Sequence, residues 1–188
     1  MRQDEPILLH SASGGVGLIA LQWAVALGAR VIAVVSSDAK AEVARRNGAE
    51  HVIVSSRENF VERVRAITKR RGVAVVYDGV GKDTFFDSLD CLMPRGLMVS
   101  YGNASGPVSA FSPLELTKRG SLYLTRPTLF HYIARPSDLV RGARELFEIV
   151  GSGKVKVHIG QTYRLADAAQ AHRDLEARKT TGSTLLIP

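Results

Sequence analysis

Short apolar runs alternate with segments of helical periodicity along almost the whole chain. Residues 7–10 form the first run, apolar residues then recur at helical spacing from Val16 to Leu27, and residues 30–35 form a second, β-branched run. Gly28 separates the helical segment from the second run, as is typical where a helix ends. The pattern predicts strands at 7–10, 30–35, 51–54, 72–78, 96–101, 121–125, 155–163 and 183–187, and helices at 16–27, 39–47, 57–70, 83–92, 137–150 and 166–178.

This alternation predicts an α/β fold, because parallel strands need crossover connections and a helix is the usual one. We expect a doubly wound parallel sheet of the Rossmann type, with about six strands and helices on both faces. Residues 1–188 are expected to form one NAD(P)-binding domain, which the last strand–helix–strand segment completes. The helix at 137–150 is expected to bury one apolar face, made of Leu139, Ala143, Leu146, Phe147 and Val150.

The glycine-rich turn after the first predicted strand indicates a dinucleotide site. Residues 12–17 read ASGGVG, which is the dinucleotide fingerprint with Ala12 in place of its first glycine. Backbone N–H groups of this turn would point at diphosphate oxygens, helped by the positive end of the helix dipole, and Gly17 would let the helix pack close to the strand. The residues that this turn places at the diphosphate are Gly14, Gly15 and Val16.

The end of the second predicted strand indicates which dinucleotide binds. An NAD site usually carries Asp or Glu here, on the ribose hydroxyls, whereas this chain has Ser36 and Ser37, with Lys40 in reach. Hydroxyls and an ammonium attract a 2′-phosphate that a carboxylate would repel. Asp38 suits the N-cap of the following helix. The pattern therefore favours NADPH over NADH.

Charge and cysteine content narrow the class of protein. The formal net charge is +7, but the basic residues are scattered, and their densest cluster, 69–71, ends a predicted helix, so nucleic acid is not the expected partner. Cys91 is the one cysteine in the sequence, which excludes an intrachain disulfide and points to a reducing, cytoplasmic compartment. No apolar run reaches the ~20 residues that a membrane helix needs.

The sequence offers no group that we assign to metal binding or to acid–base catalysis. The five histidines lack the spacing of zinc motifs, and Cys91 has no cysteine neighbour. Asp78 ends a strand at the expected crevice, where it is functional or holds the following turn, 79–81, by hydrogen bonds.

Several segments together resemble a known family. "HSASGGVGLIALQWAVALGA", "VVYDGVGKDTF", "SLDCLMPRGLMVSYGNASG", "GSLYLTRPTL" and "TTGSTLLIP" are similar to the cofactor domain of the zinc-independent quinone oxidoreductases. These form the zeta-crystallin-like branch of the medium-chain dehydrogenase/reductase superfamily. The resemblance implies hydride transfer from NADPH to a quinone or a similar conjugated carbonyl compound. Members begin with a GroES-like domain, which we expect to be absent because this chain starts just before its first predicted strand.

The resemblance also implies residue roles. Ser13, Gly14, Gly15 and Val16 match the turn that binds the diphosphate. Lys40 matches a lysine and Arg178 an arginine that lie near the 2′-phosphate. Ser55 stands where relatives often place a tyrosine beside the same phosphate, and the loss of that ring is expected either to weaken cofactor binding or to make NADPH selectivity less sharp. The positions expected on the nicotinamide side are Val80, Tyr101, Gly102 and Asn103.

Alternatives stay open at this stage. A related enoyl or alkenal reductase would share this domain, and a non-enzymatic dinucleotide- or RNA-binding protein is a rival from another class. The strand at 121–125 ends at a proline, as an ordinary edge strand does, but the family suggests that it pairs with its copy in a homodimer. Tested alone, the chain is expected to bind NADPH weakly and to reduce little quinone.

Overall fold

Six parallel strands form the central sheet of the protein. The computed structural model describes residues 4–188, and the strand order in its sheet is β3-β2-β1-β4-β5-β6, with every neighbouring pair parallel. The order reverses between β1 and β4, which places a ligand crevice beyond their carboxyl ends. The predicted doubly wound fold is confirmed. The strands are β1 Pro6–His10, β2 Arg30–Val35, β3 His51–Val54, β4 Val73–Asp78, β5 Leu92–Ser100 and β6 Tyr123–Thr125.

Helices cover both faces of this sheet. Side chains alternate between the faces along each strand, so Leu8 of β1 packs with one group of helices while Ile7 and Leu9 pack with the other. Helices α1 and α2 share the core of Ile7 and Leu9, and α3 and α4 share that of Leu8. The helices are α1 Gly15–Ala26, α2 Asp38–Arg46, α3 Phe60–Ile67, α4 Phe85–Leu89, α5 Leu114–Lys118, α6 Leu129–Tyr132, α7 Pro136–Gly151 and α8 Ala168–Glu176.

Side-chain caps begin the two polar helices. The Ser37 hydroxyl accepts a hydrogen bond from the Lys40 N–H at 3.4 Å, and the Asn59 side chain accepts one from the Glu62 N–H at 3.1 Å. Ser37 therefore caps α2, and the prediction that Asp38 does so is wrong. Asp38 is instead the first residue of the helix, where its carboxylate still opposes the positive helix end.

The helix predicted at 83–92 is too long. It ends at Leu89, and Leu92 already pairs with Val73 as the first residue of β5. The register then shifts, and Arg95 takes a φ of +62° while its N–H donates to Gly120 O at 2.8 Å. Pairing with the neighbouring strand decides this boundary, and that pairing leaves no local signal in the sequence.

The end of the chain adds a small second sheet. Strands β7 Ile159–Arg164 and β8 Ser183–Ile187 pair in parallel, apart from the six-stranded sheet, with α8 between them in the chain. The predicted strand 155–163 thus begins four residues later. Its first predicted residue, Val155, is fully buried ahead of the strand.

The predicted burial of the α7 face is wrong. No residue of α7, which lies wholly in the described part of the chain, is buried, and Leu139 and Phe147 are 49% and 71% exposed. Periodicity shows that a helix has an apolar face, but it does not show what covers that face. Within residues 4–188 no helix combines the length and the apolar character that crossing a bilayer demands.

Candidate cofactor-binding site

A cleft of about 500 Å³ opens at the carboxyl edge of the sheet, where the strand order reverses. Its walls come from the ends of β1 and β2, from the turn after β4 and from the segment after α8. A volume of this size suits an elongated organic ligand. The sequence-predicted site residues that line it are Ser13, Gly14, Ser36, Lys40, Ser55, Val80 and Arg178.

The glycine turn forms the start of α1 beside this cleft. Gly14 is the N-cap, and the first helical hydrogen bond runs from the Leu18 N–H to Gly14 O at 2.8 Å. Gly15 and Val16 are therefore the first two helical residues, whose N–H groups have no acceptor within the helix. The Val16 side chain is 69% exposed. Such an end binds an anion through backbone N–H groups and the helix dipole.

Gly17 brings the helix against the strand end. A Cβ at Gly17 would lie 2.1 Å from the backbone oxygen of Ser11 and 3.0 Å from Ala12 C. Ser11 itself has a φ of +53°, so the backbone turns sharply where β1 ends. This contact agrees with the close packing predicted for Gly17.

The segment before β8 contacts the glycine turn and supports it. Sequence reasoning missed this contact. The Gly182 N–H donates to Ser13 O at 2.9 Å, and a Cβ at Gly15 would lie 3.3 Å from Gly182 O. Thr180 also lines the cleft. The sequence feature that marks this contact is the Thr-Thr-Gly-Ser run at 180–183, whose glycine adopts a φ of +57°.

Two cations meet at one end of the cleft. The Lys40 ammonium donates to the backbone oxygen of Arg178 at 2.5 Å. Burial, and then the charge of Arg178, lower the pKa of Lys40. The Asp38 carboxylate pairs with a different cation, the Arg57 guanidinium, at 2.5 Å. An anion placed beside both cations would stabilise the charged ammonium and so oppose this shift.

Hydroxyl groups flank this cationic end. Ser36 and Ser55 are exposed and line the cleft. The Ser55 hydroxyl donates to Val35 O at 3.1 Å, which fixes it at the end of β2. The side chain at 55 therefore offers no aromatic surface to a ligand.

The structure separates the positions expected on the nicotinamide side. Val80 lines the cleft, whereas Tyr101 and Gly102 pack behind it against Gly79. A Cβ at Gly102 would lie 2.4 Å from Gly79 O, and one at Gly79 would lie 2.9 Å from the Tyr101 ring. Asn103 lines a neighbouring cavity. Tyr101 and Gly102 thus shape the Val80 turn from behind.

Asp78 holds that turn from below. Its buried carboxylate accepts from the backbone N–H of Val80 at 2.7 Å and of Gly81 at 3.1 Å, and from the hydroxyls of Thr84 at 2.7 Å and Ser88 at 3.2 Å. The structure thus supports the turn-holding interpretation of Asp78.

His10 extends this buried network, and sequence reasoning did not place it at the site. Its Nε2 lies 2.9 Å from the Ser88 hydroxyl, and its ring packs edge-on against Phe60. Burial lowers the pKa of His10, although the Asp78 charge opposes that shift. Because Ser88 donates its proton to Asp78, a neutral His10 donates from Nε2 to Ser88.

A match to the zinc-binding dehydrogenase family covers residues 15–151. The chain belongs to this family. It is 52% identical over 188 residues to a quinone oxidoreductase of Pseudomonas aeruginosa, and 46% identical over 189 residues to a 2-haloacrylate reductase of a Burkholderia species. All of this chain is covered in both cases, with 58% and 57% of the relatives.

A solved structure confirms the same relationship. The structure of Escherichia coli quinone oxidoreductase complexed with NADPH matches the chain with a TM-score of 0.97 at 50% identity, over 100% of this chain and 58% of that one. The resemblance to quinone oxidoreductases is therefore confirmed. The chain spans somewhat more than half the length of these relatives, whose C-terminal, cofactor-binding part it matches.

The family name raises the question of zinc. Among residues 4–188, no three His, Cys, Asp or Glu side chains are grouped so that they could hold a metal ion. Cys91 is buried, which raises the pKa of its thiol to about 12. A thiol held neutral in this way is a poor metal ligand.

Replacing Asp78 with alanine is expected to lower the free energy of unfolding by about 3 kcal/mol, because the removal leaves the Val80 and Gly81 N–H groups without an acceptor. Asp78→Asn keeps one oxygen and should lose less. Urea denaturation of both variants measures the loss. Equal stability of Asp78→Ala and the unaltered chain would contradict the assigned role.

Proposed function

We propose that the chain is the NADPH-binding part of an oxidoreductase that reduces a quinone or another conjugated carbonyl compound. The carrying observation is the paired Lys40 and Arg178 at one end of the cleft that the glycine turn borders. A dinucleotide with a third phosphate on its adenosine ribose places negative charge at the glycine turn, through its diphosphate, and beside Lys40 and Arg178, through its 2′-phosphate. The family, and the NADPH in the E. coli relative, support the proposal.

Each predicted residue has a role in this proposal. The amides around Ser13, Gly14, Gly15 and Val16 bind the diphosphate, with the Gly182 N–H fixing the turn. The 2′-phosphate lies among Ser36, Lys40 and Arg178, with Ser55 at its edge. The wall beside the nicotinamide is the Val80 turn, with Tyr101 and Gly102 packed behind it and Asn103 beyond it in the neighbouring cavity.

Bound NADPH supplies a hydride, so the protein mainly orients reactants and excludes water. NADPH, one proton and one quinone give NADP⁺ and one hydroquinone. We assign no acid or base of this chain to that reaction. The Asp78 network instead fixes the turn against which the cofactor lies.

A second acceptor class is favoured by one relative. The 2-haloacrylate reductase of Burkholderia is 46% identical to this chain, so a conjugated acid is the alternative acceptor. The test is NADPH oxidation by the gene product at its full length, followed with a panel of quinones, enals and acrylates. Turnover with quinones supports the proposal. Turnover confined to acrylates would make a conjugated acid the acceptor in place of a quinone. Oxidation of NADH but not of NADPH would contradict the proposal.

We place the chain in the zinc-independent, zeta-crystallin-like branch and in the cytoplasm, which its single cysteine supports. We propose that residues 1–188 form one domain. Two contacts support this: Gln22 of α1 exchanges hydrogen bonds with the Lys156 backbone, and Gly182 contacts Ser13.

We propose that the chain forms a homodimer through β6. This strand lies at the edge of the sheet, spans Tyr123–Thr125 rather than the predicted 121–125, and leaves Tyr123 and Leu124 62% and 37% exposed. An exposed apolar edge strand invites pairing with a second copy.

Tyr123→Lys is expected to convert the dimer to a monomer, because a two-fold contact brings both lysines together. Light scattering coupled to size exclusion measures the mass. Phe147→Lys, a similar change on exposed α7, is the control and should leave the dimer intact. A Tyr123→Lys chain that stays dimeric would exclude this interface.

A further inference from the structure

His10 lies at the end of β1, between the starts of α3 and α4. Its ring packs edge-on against Phe60, the first residue of α3, with the two ring centroids 5.0 Å apart. Its Nε2 lies 2.9 Å from the hydroxyl of Ser88 in α4. The side chain is buried, yet it lines the cofactor cleft. His10 is therefore held by two helices while it borders the space in which a ligand would lie.

The hydrogen bonds behind His10 fix which ring nitrogen carries the proton. The Asp78 carboxylate has only acceptor oxygens, so the Ser88 hydroxyl donates its single proton to that carboxylate, at 3.2 Å. The Ser88 oxygen must then accept from His10 Nε2. Burial lowers the pKa of His10, although the Asp78 charge opposes that shift, so the ring is neutral at neutral pH. A neutral ring carries one proton, which leaves Nδ1 as an acceptor.

The second ring nitrogen, Nδ1, reaches the cleft. The hydrogen bond of the His10 ring uses Nε2, and among residues 4–188 none is found at Nδ1. In that same part of the chain, no fully enclosed side-chain nitrogen or oxygen lacks a hydrogen-bond partner. Nδ1 is therefore open to solvent, and the cofactor cleft is the space that His10 borders. It offers a lone pair to a ligand in that cleft.

The wall around His10 differs in charge from the cationic end of the cleft. Three carboxylates line it beside the starts of α3 and α4, those of Asp83, Asp87 and Glu58, the last of which also pairs with Arg63 at 2.9 Å. Carboxylates repel phosphate oxygens, whereas they and the Nδ1 lone pair suit groups that carry N–H or O–H donors. This wall therefore suits a part of a nucleotide that bears donors and no phosphate.

We propose that His10 Nδ1 accepts a hydrogen bond from the adenosine half of the bound dinucleotide, from its adenine amino group or a ribose hydroxyl. This inference rests on the proposed function. Because the strand order is β3-β2-β1-β4, the start of α3, which follows β3, lies on the same side of β1 as the cationic end. With the 2′-phosphate at that end and the diphosphate at the glycine turn, the adenosine is the part that faces His10. No proton moves, since Nε2 keeps its proton and Nδ1 contributes only a lone pair.

The test observes the ring nitrogens directly, in long-range ¹H–¹⁵N spectra of the full chain labelled with ¹⁵N-histidine. The spectrum of His10→Phe assigns the His10 signals by their loss. The free chain should show a protonated Nε2 and an unprotonated Nδ1 at His10. Saturating NADP⁺ should shift the Nδ1 resonance and leave Nε2 protonated. His51 is the control, because it begins β3 and lies at the opposite edge of the sheet, so its ring should not respond.

Nucleotide affinity identifies the donor. His10→Phe keeps an aromatic ring against Phe60 and should raise the NADP⁺ dissociation constant about fivefold, as for one lost neutral hydrogen bond. His51→Phe should leave that constant unchanged. The hypoxanthine analogue of NADP⁺ has a carbonyl in place of the adenine amino group. If the amino group is the donor, His10→Phe should bind this analogue as the unaltered chain does, and if a ribose hydroxyl is the donor, the fivefold loss should remain.

Two results would overturn the inference. In the first, the proton of the neutral His10 ring lies on Nδ1. In the second, saturating NADP⁺ leaves the Nδ1 resonance unchanged, or His10→Phe binds NADP⁺ as tightly as the unaltered chain. Failure of the unaltered chain to bind NADP⁺ at all would overturn the proposed function together with this inference, whereas binding that leaves Nδ1 unchanged overturns this inference alone.

Discussion

Gly17→Ala is expected to lower the free energy of unfolding by about 3 kcal/mol, at the upper end of typical overpacking costs. The added Cβ would lie 2.1 Å from Ser11 O, and both groups belong to backbone that two elements fix. Alanine favours a helix by about 1 kcal/mol, so the clash outweighs that gain. Because the first turn of α1 must shift, NADPH binding should also be lost.

Urea denaturation and an NADPH titration measure these two effects. Gly142→Ala is the matched control, since a Cβ at Gly142 meets no atom within 4 Å. This control should be as stable as the unaltered chain or gain about 0.5–1 kcal/mol. If Gly17→Ala matches the control in stability and NADPH affinity, α1 does not depend on this close approach.

Lys40→Ala is expected to weaken NADPH binding by about tenfold or more while leaving NADH binding unchanged. A charge-assisted hydrogen bond contributes roughly 1.5–3 kcal/mol, and only NADPH carries the phosphate that would accept it. Calorimetric titration with both nucleotides measures the ratio of affinities. Lys69→Ala, a change outside the cleft, serves as the control.

The same lysine predicts a dependence on pH. Burial and Arg178 lower the pKa of Lys40, so its charge is lost at a lower pH than that of an ordinary lysine. The preference for NADPH over NADH should therefore fall as the pH rises from neutrality towards that pKa. Lys40→Arg keeps its charge and should remove the dependence. If Lys40→Ala lowers the affinities for NADPH and NADH equally, the 2′-phosphate does not bind at Lys40.

Much of the fold could be predicted because the central strands β1, β2 and β4 are buried on both faces. β2 carries an unbroken β-branched and apolar run, and the glycine turn marks where β1 ends and α1 begins. Both signals are local, so the residues themselves report them. The cationic end could also be anticipated, since the sequence shows Ser36 and Ser37, and not a carboxylate, at the tip of β2.

Other features depend on contacts between distant parts of the chain. Gly182 meets Ser13 across 169 residues, and His10 meets Ser88 across 78. Neither contact follows from spacing or composition. The exposed face of α7 shows the converse, because its periodicity gives an apolar stripe whatever lies beside it. Predicting such features requires the three-dimensional arrangement of the helices and strands.

The most direct test is a crystal structure of the chain with NADP⁺. The account predicts diphosphate oxygens within hydrogen-bonding distance of the Gly15 and Val16 N–H groups, and the 2′-phosphate between Lys40 and Arg178. A diphosphate bound elsewhere, with α1 and these two cations free of the nucleotide, would contradict it.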